Sequence, residues 1–145
     1  MNSFERLVRV SVIQKLRDFS RVPSLAEIAS ALGTPEPTVS SALHALAGEH
    51  RLVLVPGSDS VWMAHPFSAV ESDFVVRIGD RRWYANCAWD GLSILALLGD
   101  GTLDTHSPGT GKAIRFEVAD SRVIGEGLVH FLVQARAFWD DIGFT

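Results

Sequence analysis

The sequence predicts an α+β protein: an N-terminal winged-helix-like unit of three helices to about residue 66, then a mixed β core carrying one buried helix over residues 67–145. Three observations predict it. Up to Gly48, apolar residues recur at three- and four-residue spacing, the period of helices buried along one stripe. From Arg51 onward, short β-branched and aromatic runs alternate with Gly, Pro and Asp turns. The stretch Cys87–Leu98 then returns to helical grammar and is closed by Gly99.

The first helix is predicted over Phe4–Phe19, where Leu7, Val8, Val12, Ile13 and Leu16 form one apolar stripe. Pro23 interrupts the chain. Ser24 followed by Glu27 makes a capping box that starts a second helix through Ile28, Ala29 and Leu32, and Gly33 ends it. Thr34-Pro35 opens a third helix to Gly48, with Val39, Leu43 and Leu46 inside. RLVLV and SVWMA around Pro56-Gly57-Ser58-Asp59 predict a β-hairpin, the wing. FVVRIG and RRWYA predict a strand pair turning at Gly79-Asp80, and KAIRFEV, SRVIGEG and LVHFLV predict further strands.

Bulk properties narrow the function. The chain of 145 residues is 47% hydrophobic and 21% charged, as ordinary globular proteins are. Its single cysteine allows no internal disulfide, the charged N-terminus lacks an apolar signal core, and the run Gly91–Gly99 is too short to span a bilayer. A cytoplasmic protein acting on a small molecule, without membrane contact, is the expectation.

The winged-helix pattern raises the question of DNA. The third helix, PEPTVSSALHALAGEH, contains no Lys or Arg, and residues 1–66 balance six basic side chains against six acidic ones. The net charge of the whole chain is -4. Phosphate neutralisation supplies most of the affinity for DNA, so specific DNA binding is not expected.

Most candidate sites fail on spacing. SPGTGKA has His106 and Ala113 where a phosphate-binding loop needs glycine and Ser or Thr. The five histidines, His44, His50, His65, His106 and His130, form no zinc pattern, and Asp140-Asp141 reads more simply as a solvated turn. Cys87 and Asp90 remain, one helical step apart and framed by Trp83, Tyr84 and Trp89. One reading makes Cys87 a small buried hydrophobe. The other makes it a reactive thiol at a helix N-terminus, where free N–H groups lower a thiol pKa, with Arg81 and Arg82 at hand. Shielding by Trp89 and the following apolar residues would favour the protonated, proton-donating form of Asp90.

The string RRWYANCAWDGLSILALLG, with the turn ending in Thr110-Gly111 that follows, resembles the core of the organomercurial (alkylmercury) lyases. That family also carries a helix-turn-helix-like N-terminal domain. The resemblance implies protonolysis of a carbon–mercury bond. Cys87 would bind mercury as a thiolate, Asp90 would protonate the departing carbon, and Trp83, Tyr84 and Trp89 would wall the substrate pocket. Soft sulfur suits soft mercury. No resident cofactor is implied, mercury being part of substrate or product. The family's second catalytic cysteine follows a segment that FWDDIGFT resembles, and a further cysteine of some members corresponds to Ser107. The sequence therefore reads as a piece of a longer chain, as a single-thiol enzyme that needs an external thiol, or as a relative that has left mercury chemistry. A non-mercury enzyme reusing the pocket and a metal- or small-molecule-responsive transcriptional regulator are the competing functions.

Overall fold

The computed structural model describes residues 1–143. Helix α1 runs Ser3–Phe19, begun by a capping box between Asn2 and Glu5, and buries Val8, Val12 and Leu16. Helix α2, Leu25–Leu32, begins at the Ser24–Glu27 capping box and stops at Gly33, whose φ of 61° is left-handed. Helix α3, Glu36–Gly48, follows Pro35 and buries Val39, Ala42, Leu43 and Leu46. These three stripes meet in one cluster.

Eight strands follow: β1 Val53–Leu54, β2 Val61–Ala64, β3 Phe67–Ser68, β4 Val75–Ile78, β5 Arg81–Ala85, β6 Gly101–His106, β7 Ala113–Ala119 and β8 Arg122–Ile124. Helix α4, Ala88–Leu98, lies between β5 and β6. The strands form one sheet in the order β1-β2-β3-β5-β4-β6-β7-β8, continuous across residue 66. Every pairing among the described residues is antiparallel, so the expected mixed core is corrected. The physical reason is that most connections are hairpins, and α4 returns the chain to β4 from an antiparallel direction.

The two sheet faces differ in chemistry. Val76, Trp83, Leu103 and Phe116 are partners in register across β4, β5, β6 and β7, and all are buried. The opposite face carries Tyr84, Val75, Asp104 and Arg115 in register, with Asp104 paired to Arg115 and Arg77. Alternation along each strand produces this division. Helix α4 packs on the apolar face so closely that a Cβ on Gly91 would lie 2.6 Å from Leu103 Cδ1. Only one side of α4 is buried, through Gly91, Ile94 and Leu95; Trp89 and Leu97 are exposed.

Two further expectations change. GTLDTH forms β6, which the sequence reading passed over because only Leu103 of that run is buried. LVHFLV, residues 128–133, forms no strand. No neighbouring strand pairs with it, and Leu128 is 97% exposed. The tail instead makes a 3-10 turn, Ala135–Asp140, and Trp139 stacks on His50 at 4.2 Å. The last two residues of FWDDIGFT lie outside the described residues.

Candidate active site

The site forms where β5 becomes α4. Strand β5 ends at Ala85, Asn86 bridges, and Cys87 caps α4 with extended backbone at φ −155° and ψ 178°. Its sulfur accepts the backbone N–H of Asp90 at 3.5 Å, the role Ser or Asp usually plays at an N-cap. Asp90 then falls in the first turn, where the helix dipole favours a negative charge. This local arrangement follows from the Cys-Ala-Trp-Asp spacing alone.

Asp90 is buried, at 7% exposure, and both its oxygens are engaged. Oδ1 lies 2.7 Å from Nδ1 of His65, and Oδ2 accepts from the side-chain amide of Asn86 at 2.8 Å. The amide oxygen of Asn86 is buried without a hydrogen-bond partner, leaving an unused acceptor beside the carboxylate. His65 stands in the turn between β2 and β3. Because Phe67 pairs with Ala64 on one side and with Ala85 on the other, that turn sits beside the β5–α4 junction.

The electrostatics differ from the expected activated thiol. Burial pushes the Cys87 thiol above its ordinary value, and the neighbouring Asp90 charge adds to the rise. The helix N–H groups of Asp90 and Trp89 do oppose it, as a helix start should, but burial outweighs them. Arg81 and Arg82 give no help. Arg81 donates to the carbonyls of Arg17 and Asp18 and lies over the Trp83 ring, and Arg82 lies over Tyr84. His65 is held above its ordinary imidazole value, mainly by the bond to Asp90, against burial and the positive charge of Arg9.

The three aromatic residues do not share one wall. Trp83 is buried at 3% exposure, and its indole N–H donates to Leu16 and Arg17 at the end of α1. Tyr84, the next strand residue, points to the opposite sheet face and donates its hydroxyl proton to Glu71 at 2.8 Å. Trp89 is 58% exposed. Sequence adjacency suggested a common pocket; strand alternation and helix facing separate them.

Candidate second ligands are also dispersed. His106 lies 3.6 Å from Asp73 at the end of β6, His130 is exposed, and Asp140 closes the 3-10 turn, with Asp141 next to it. Among the described residues, no three His, Cys, Asp or Glu side chains gather as a metal site. His65 and Asn86 are the residues that sequence reading missed. Asn86 adjoins Cys87 and was within reach of inspection, whereas only sheet register brings His65 to Asp90.

Comparison with known proteins bears on what this arrangement is. A solved structure, the mercury-bound form of MerB2, superposes with a TM-score of 0.69 at 19% identity, covering 86% of this chain and 60% of that one. This chain thus spans less than two thirds of that protein's length, and the likeness establishes the fold. No curated protein matches by sequence. The family model of MerB, alkylmercury lyase, matches residues 67–143, more than half of the sequence and the whole β5–α4 junction. The chain belongs to the alkylmercury lyase family.

Proposed function

We propose that this chain cleaves carbon–mercury bonds by protonolysis, with Cys87 as the mercury-binding thiolate and Asp90 as the proton donor. The observation that supports it best is the first turn of α4, where the Cys87 sulfur and the Asp90 carboxylate are held together through the Asp90 N–H at 3.5 Å. The buried thiol keeps its proton at neutral pH until mercury binds. A thiol that coordinates a soft metal loses that proton on binding, so the raised thiol pKa delays capture without forbidding it. Forming S–Hg pushes electron density into the metal and makes the bound carbon more basic. Asp90 delivers the proton as the C–Hg bond breaks, and the hydrocarbon leaves.

Cys87 is the one thiol of these 145 residues, and in this reading a second sulfur, which a small external thiol can supply, carries mercury away. No resident cofactor takes part in this reading. We read α1–α3 with β1 and β2 as a winged-helix-like unit ending near residue 66, serving as a packing partner for the core. The absence of Lys and Arg from α3 supports that role over DNA binding, and a cytoplasmic address fits it. Among the described residues, no helix is long and apolar enough to cross a membrane.

The test is hydrocarbon release from a simple organomercurial, with and without excess small thiol, by the protein and by Cys87→Ser and Asp90→Asn. We expect release above the rate with thiol alone, abolished in Cys87→Ser and reduced about 100-fold or more in Asp90→Asn. A rate equal to that of thiol alone, or one unchanged in both variants, defeats the assignment.

A further inference from the structure

We propose that His65 positions Asp90 and resupplies its proton, so that the acid of this site is a His65–Asp90 pair open to solvent through the imidazole. The proposal rests on the reading of Cys87 and Asp90 given above. Its geometric basis is independent of that reading. Asp90 is enclosed, yet its Oδ1 is 2.7 Å from His65 Nδ1, and the His65 side chain is 65% exposed. The ring therefore spans from the buried carboxylate to water. Among the described residues, no cation other than His65 pairs with Asp90, and Arg81 and Arg82 are engaged elsewhere. Asn86 holds the second carboxylate oxygen at 2.8 Å, which keeps the first directed at the ring.

The charged groups facing His65 are Asp90 of α4 and Arg9 of α1, and the carboxylate dominates. The bond to Asp90 holds the His65 ring above its ordinary value, so the imidazole carries a proton beside the carboxylate more readily than a free one would. During cleavage one proton passes from Nδ1 of the protonated His65 ring through Asp90 to the carbon as the C–Hg bond breaks, leaving the carboxylate ionised and the ring neutral. The neutral ring recovers its proton from water, and mercury remains on Cys87 and the external thiolate. Atoms and charge balance without any redox partner. His65 touches no substrate, so it acts through Asp90 as a positioning and relay residue.

The decisive experiment couples an NMR titration of the His65 ring in the full chain with the pH dependence of hydrocarbon release. In the wild type His65 should titrate above its ordinary value of 6.5 and return toward it in Asp90→Asn. Release should fall as pH rises through the His65 midpoint. His65→Gln should lose that limb and turn over at least tenfold more slowly, while Cys87 still binds mercuric ion one to one. Imidazole added to His65→Ala should restore part of the rate. A His65 titration that Asp90→Asn leaves unmoved overturns the proposal, as does wild-type turnover and pH profile in His65→Gln. If the wild type releases no hydrocarbon, the lyase reading falls by itself. The titration still decides the pair: a shifted His65 upholds it and an unshifted one overturns it.

Discussion

The indole N–H of Trp83 donates to the carbonyl oxygen of Leu16 at 3.1 Å, joining the middle of the sheet to the last turn of α1 across 67 positions of sequence. Arg17 accepts from the same N–H at 3.0 Å. Helix ends leave carbonyl lone pairs free, and here the indole adds a donor from the core beside the Ser20 N–H on Leu16 and the Arg81 guanidinium on Arg17. Trp83→Phe keeps the aromatic packing and removes the donor, so it should cost about 1–2 kcal/mol of stability, measured by urea unfolding. An unchanged midpoint would mean that water replaces the indole without loss.

Gly101 opens β6 where a Cβ would run into the carbonyl oxygen of Arg77. That atom belongs to the β4 backbone and cannot yield without opening the β4–β6 ladder. Gly101→Ala should therefore destabilise the fold by about 1–3 kcal/mol, seen as a lowered thermal midpoint. Gly79→Ala, also at a strand end but with open space around it, should cost less through its positive φ alone.

The thiol should react late. Burial lifts Cys87 above the ordinary value of 9.0, so alkylation by iodoacetamide should have its midpoint above that pH. Asp90→Asn removes the negative charge but keeps the backbone N–H, and it should shift the midpoint downward. An alkylation midpoint at or below 7 in the wild type would show that the helix terminus prevails over burial.

The His65–Asp90 pair makes stability depend on pH with a definite sign. A histidine whose folded pKa is raised contributes stability that is complete below its unfolded value, about 6.5, and lost as pH rises through the folded value. The stability difference between wild type and His65→Gln should thus shrink from pH 6 to pH 8.5. Because the His65 side chain is largely solvent-exposed, screening keeps the effect small. A difference that grows over this range would contradict the pairing.

Operator-length DNA should not bind with nanomolar affinity at physiological salt. In α3 the exposed His44 is already engaged with Asp59 at 2.7 Å, and the helix offers no cation for phosphate. A gel-shift titration with random and palindromic duplexes checks this.

What the sequence makes legible is what its neighbours decide. Ser24–Glu27 and Gly33 bound α2, Gly79 turns β4 into β5, and the Cys87–Asp90 step builds the first turn of α4. What it hides depends on partners far along the chain. His65 meets Asp90 only because Phe67 pairs with Ala85. Residues 128–133 have strand-like composition, but no edge receives them. Trp83 and Tyr84 are separable from sequence, since adjacent strand residues face opposite ways.

The order of strands also sets how the chain finds its shape. Five of the seven pairings, β1–β2, β2–β3, β4–β5, β6–β7 and β7–β8, join consecutive strands, and only β3–β5 and β4–β6 skip over a neighbour. Most of the sheet can therefore zip through short-range steps that close small loops, the condition for rapid folding of a β-rich chain. The indole bond to α1 closes a far longer loop than any hairpin of the sheet and carries a larger entropic cost. The helical unit and the sheet are thus expected to form first as separate nuclei, and the reaction site, built where β2, β5 and α4 converge, to become complete only as they join.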